Sequence, residues 1–75
     1  MNLQWVCENA TNARYLTQAE LDRLADHFKF WGELSLAQLM MGEHAPANGR
    51  CFEVLLTDRE ALQVDRACEA LEFSF

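Results

Sequence analysis

Thr17-Gln18-Ala19-Glu20 and Thr57-Asp58-Arg59-Glu60 carry the same helix-start signature, and each precedes an amphipathic run. A threonine hydroxyl at this spacing accepts from the backbone N–H three residues on. The glutamate in turn reaches back to the threonine's own N–H. Two reciprocal caps therefore predict two helices, and the stretches around them decide the rest of the fold.

Downstream of the first cap, Leu21, Leu24, Ala25, Phe28 and Trp31 fall on one stripe at about 100° per residue, which predicts a helix over 18–31. Asp22, Asp26, Lys29 and Glu33 lie opposite, and Gly32 is placed to end or kink the helix. Ser35-Leu36-Ala37-Gln38 has the spacing of a weaker capping box. It predicts a short helix through Met41 that Gly42 stops. Downstream of the second cap, Ala61, Val64, Cys68 and Leu71 form the inward stripe of a helix running to about Glu72, with Phe73-Ser74-Phe75 beyond it.

Strands are expected between these helices. Leu3 to Glu8 alternates, with Leu3, Trp5 and Cys7 on one side, the period of a half-buried strand. Asn9-Ala10-Thr11-Asn12 has a turn composition, and Ala13 to Leu16 reads either as a short return strand or as the lead into the first helix. His44-Ala45-Pro46-Ala47-Asn48-Gly49 reads as a loop with Pro and Asn-Gly breakers. Arg50 to Leu56 reads as a strand whose last residues are apolar on both sides, as under a helical layer. No internal repeat is apparent. The expected fold is α+β: one small domain over residues 1–75 in the order β-α-(α)-β-α, its helices packed on one face of a two- or three-stranded sheet.

Seventy-five residues hold one core at most, and a chain of this size buries only about 60% of its unfolded surface. Yet 51% of the residues are apolar, with five Phe, two Trp and one Tyr. So many large side chains on so small a body leave apolar surface over, and such surface is commonly used for association. Phe30 is the clearest candidate, because on a regular helix it projects about 150° from the core stripe, beside Asp26 and Glu33. If the helix ends early, Phe30 turns inward instead. If it is regular, Phe30 and Leu34 form a second apolar strip rimmed by acids, the anatomy of an interface anchor. Met40 and Met41 extend that strip, and methionine adapts well at binding surfaces.

Twelve acids against six bases give a net charge of −6. Phosphate neutralisation needs Lys and Arg, so direct nucleic-acid binding is not expected. An acidic body is instead steered toward basic surfaces. On the last helix Asp58, Asp65, Glu69 and Glu72 lie within about 80° of arc, the final three spanning about 10 Å end to end. Such a row can imitate nucleic-acid phosphates, which makes a nucleic-acid-mimicking inhibitor an alternative reading.

Chemistry is poorly provided for. Cys7, Cys51, Cys68, His27 and His44 lack the paired spacing of two to four residues on which structural zinc sites rely. A Cys–His nucleophile needs an ionised, accessible thiol, whereas Cys68 lies on an apolar helical stripe beside Glu69. Glycines Gly32, Gly42 and Gly49 stand singly at breaks, so no phosphate loop is formed. Neither a cofactor nor a metal is expected, nor is catalysis. Three cysteines cannot all pair, which favours reduced thiols. Met1 to Trp5 lacks the basic region of a signal peptide, and no apolar run has membrane-spanning length. A cytoplasmic location is the expectation.

In size and acidity the chain resembles the small single-domain proteins with which phages and mobile elements block host machinery, anti-CRISPR proteins and polymerase inhibitors among them. No motif carries that likeness, and it transfers no residue roles. The functional expectation is a non-enzymatic protein-binding module, an inhibitor or regulator that occludes a host protein with a basic surface. Phe30, Leu34, Met40 and Met41 would be its apolar anchors, and Asp26, Glu33, Asp65, Glu69 and Glu72 its acidic contacts. A homodimer that uses the same apolar strip is the structural alternative.

Overall fold

Both threonine caps close in the computed structural model, which describes residues 12–73. The Glu20 N–H donates to Thr17 Oγ1 at 3.2 Å, and the Thr17 N–H donates to Glu20 Oε1 at 2.8 Å. Thr57 and Glu60 repeat the pair at 3.2 and 2.9 Å. Helices α1 (Gln18–Phe30) and α3 (Asp58–Ala70) follow, each of 13 residues. Strand β1 (Asn12–Thr17) runs straight into α1, so Ala13 to Leu16 forms a strand, and β3 (Cys51–Leu56) runs into α3 in the same way. Helix α2 (Leu34–Met41) and the two-residue strand β2 (Ala45–Pro46) lie between them. The alternating segment expected over Leu3–Glu8 and the turn after it lie at or beyond the edge of the described residues.

The domain is α+β, with a three-stranded antiparallel sheet in the order β1-β3-β2. Register places Arg14 opposite Val54 and Leu16 opposite Phe52, with Asn12 opposite Leu56. Directly opposed residues share a face. On this face Leu16, Val54 and Leu56 are fully buried beneath the helices, and the core is completed by Leu21, Leu24 and Phe28 from α1, Met40 from α2 and Val64 from α3. Tyr15 and Leu55, on the opposite face, are about half exposed.

Four expectations are corrected. Trp31 is 65% exposed. It caps α1 at the C-terminus, and Gly32 at φ +75° turns the chain before a further turn can carry the indole inward. Ser35 does not cap α2: the helix starts at Leu34, Glu33 stands at the N-cap, and no side chain caps it. Here the turn out of α1 sets the start, since Glu33 N–H donates to Phe28 O and Glu33 O then accepts from Ala37 N–H. The expected loop after His44 contains β2, which pairs with Glu53 and Phe52. Pro46 is tolerated because the strand is at the sheet edge, where a missing N–H costs nothing.

The fourth correction is a structural repeat. Thr57 stands 40 positions after Thr17, and at that spacing Leu16, Thr17, Glu20, Leu24 and Phe28 correspond to Leu56, Thr57, Glu60, Val64 and Cys68. The N-cap torsions agree, with φ −76° and ψ 165° at Thr17 against −72° and 168° at Thr57. The C-terminal closures agree as well. Gly32 and Glu33 N–H donate to Lys29 and Phe28 O, while Glu72 and Phe73 N–H donate to Glu69 and Cys68 O, both Schellman patterns. The pair Arg14–Val54 joins corresponding residues directly. A two-fold axis through that pair therefore carries one strand–helix unit onto the other. Only Leu16/Leu56, Thr17/Thr57 and Glu20/Glu60 are identical among the corresponding residues above, so the repeat is carried by caps and core positions rather than by side-chain identity.

Candidate protein-docking surface

α1 is regular through Phe30, so Phe30 projects outward and is 79% exposed. Its ring meets Trp31 edge to face, with centroids 5.0 Å apart and planes at 90°. His27 packs edge-on against both Phe28 and Trp31. Across the Gly32 turn, Leu34 (61% exposed) opens α2 and Met41 (60%) closes it. Seven positions apart, they share one face of α2 about 10 Å apart, with exposed Gln38 between them. Phe30, Trp31 and Leu34 thus stand exposed where α1 turns into α2, and Met41 continues this apolar edge at the far end of the same α2 face.

Met40 does not belong to it. At 1% exposure it is a core residue, because α2 has a single inward face, made by Leu36, Ala37 and Met40, and Met40 falls on it. Trp31 takes its place on the surface and was missed by periodicity. The signal was Gly32, since a helix that stops at Phe30 cannot deliver the next residue to its core stripe.

The acids divide in two. Asp26 and Glu33 are exposed on α1 and its exit turn, near the apolar edge, and Glu69 and Glu72 are exposed at the end of α3. Asp65 is engaged: its two oxygens accept from Arg14 Nε and Nη2, each at 2.8 Å. The Arg14 hydrogen bonds hold the Asp65 carboxyl below its ordinary range, and they push the guanidinium higher still. Asp58 accepts from Asn12 Nδ2 at 2.7 Å, and Glu72 lies beyond the helix at φ 59°. The acidic row foreseen along α3 is therefore interrupted.

Arg14 shares the inward sheet face with Leu16 and Val54. The residue corresponding to its partner Asp65 is Ala25, which packs in the core. The ion pair thus neutralises a charge turned inward on β1, which is the outer strand of the sheet among the described residues.

The Cys68 thiol offers little nucleophilicity. Cys68 is buried, and burial first, with Asp65 and Glu20 adding repulsion, pushes its thiol up to about 11. Cys51 is a half-buried free thiol on β3. His44 Nε2–H donates to Leu39 O at 2.8 Å, bracing the loop after α2. Among the described residues no three His, Cys, Asp or Glu side chains gather as metal ligands. No helix among them is long and apolar enough to cross a membrane.

No protein-family model matches the chain, and no curated protein or solved structure is detectably similar to it.

Proposed function

We propose that this protein is a non-enzymatic binding module that occludes a partner protein with a basic surface, acting as an inhibitor or regulator of it. One observation carries the reading: the exposed Phe30–Trp31 pair is not required by the fold. The second strand–helix unit has the same caps and the same C-terminal closure, and it places exposed Ala70 and half-buried Leu71 at the corresponding positions. The molecule thus contains its own control, in which the frame is built without an exposed aromatic corner. Large apolar side chains in water cost free energy in the absence of a partner. Beside them stand Asp26 and Glu33, which complement a basic partner and oppose an acidic one.

The test begins with capture of the partner from the native host and its identification by mass spectrometry. Dissociation constants are then measured with the purified partner. Replacing both Phe30 and Leu34 by Ala is expected to weaken binding by a factor of about 30 or more, the scale of losing a hot spot. Both side chains are exposed, so the thermal melt should hardly move. Unchanged affinity would remove the apolar edge from the interface. An anion-rich docking reading also predicts that Asp26→Lys with Glu33→Lys lowers the association rate more than it raises the dissociation rate.

A further inference from the structure

On the outer side of α1, Asp26 and Phe30 stand one turn apart and face Leu71, the C-cap residue of α3. With Arg23 and His27 they line a shallow, open cleft of about 340 Å³. Two helix C-termini open onto it. Their Schellman closures occupy the carbonyls of Phe28 and Lys29 in one helix and of Cys68 and Glu69 in the other. The ends of both helices still bring partial negative charge to the cleft. Asp26 forms no ion pair among the described residues. Arg23, the cation on the wall, lies over the Phe73 ring at 4.9 Å from its centroid, drawn toward the tail of α3.

We propose that this cleft receives one lysine or arginine side chain from the basic partner. The inference rests on the docking function above and adds the chemistry of the inserted group. Phe30 and Leu71 offer apolar walls for an aliphatic stem, while Asp26 and the two helix ends attract a cationic head, the division of labour that long basic side chains favour. An acidic ligand would meet Asp26 and both helix termini. A wholly apolar one would strip water from the carboxylate without replacing it. A second copy of this chain brings the same acidic rim and a net charge of −6. In the other strand–helix unit the position of Asp26 is held by Arg66, so the carboxylate of this cleft has no counterpart at the corresponding place in that unit.

The probe is the peptide acetyl-Leu-Arg-Leu-amide, titrated into the full chain and followed by backbone amide shifts. Its control carries citrulline, which has nearly the same shape without the charge. Saturable shifts at Asp26, Phe30 and Leu71 are expected, weakened about threefold with citrulline and about threefold by Asp26→Asn, the scale of a solvent-exposed ion pair. Asp22→Asn removes the same charge from the same helix outside the cleft and should leave the affinity unchanged. Equal binding of both peptides overturns the proposal, as does equal weakening by the two Asn variants. It is also overturned if no shift appears because the chain's own termini fill the cleft, or if shifts follow protein concentration alone, as a second copy would cause. Should the cleft stay silent while the Phe30/Leu34 double variant still loses the partner, this inference fails and the docking function stands. If that variant also binds normally, both fall.

Discussion

Glu72 and Gly32 occupy the same place in the two units, one residue past the C-cap, and both have positive φ, at 59° and 75°. Glycine adopts that backbone without penalty, whereas a side chain there crowds its own carbonyl. Glu72 also sets a carboxylate at the negative end of α3. Glu72→Gly is therefore expected to stabilise the protein by about 0.5–1 kcal/mol, after the extra freedom that glycine gives the unfolded chain offsets part of the gain. The melting temperature should rise by a few degrees in a domain of this size. Gly32→Ala should cost about 1 kcal/mol, entirely through the backbone, because a Cβ at Gly32 meets nothing within 4 Å. A fall in melting temperature for Glu72→Gly would mean that the Glu72 side chain contributes more than its strain costs.

At the scale of the element, α2 separates packing from display within two adjacent residues. Met40 is sealed among core side chains and Met41 is mostly exposed. Met40→Ala should destabilise by about 2–5 kcal/mol, as a buried large-to-small change does. Met41→Ala should stay within about 0.5 kcal/mol in chemical denaturation. Equal costs would mean that α2 is rotated about its axis from the described position. The same helix shows where reading the chain as a string stops. α1, α3 and β3 were legible because their signals are local: a threonine and glutamate three apart, a stripe at helical period, alternation in a strand. The start of α2 depends instead on how α1 ends. Gly32 and the Glu33–Phe28 hydrogen bond deliver the chain at Leu34, so the box at Ser35 is not used. Strand β2 was illegible for a related reason, since two residues acquire their pairing only when β3 lies beside them. Of the proposed surface, Phe30 was legible from its angular position, whereas Leu34, expected on a first helix continued past Gly32, is exposed instead at the start of α2. Trp31 was missed because α1 ends at a turn that carries no periodicity, whereas Met40 lies on the inward face of α2 with Leu36 and Ala37.

At the scale of the whole molecule, two terms act on the apolar edge with opposite sign. Phe30, Trp31, Leu34 and Met41 favour any contact that removes them from water, a second copy included. Asp26, Glu33 and a net charge of −6 oppose a like-charged copy and favour a basic partner. Salt separates the terms, because the Debye length falls to about 10 Å at 0.1 M and about 3 Å at 1 M while apolar attraction persists. The chain is therefore expected to sediment as a monomer at low salt and tens of micromolar, with weak self-association growing as salt is raised. Association with a basic partner should change in the reverse direction and weaken with salt. Glu33→Gln with Asp26→Asn should move both trends together, easing self-association and flattening the salt dependence of partner binding. A tight dimer already present at low salt would show that complementarity within the pair outweighs its repulsion, and the apolar edge would then be the contact of a homo-oligomer. A monomer at every salt concentration would mean that these four side chains are too few to drive association unaided, leaving the charged rim to supply most of the attraction for a partner.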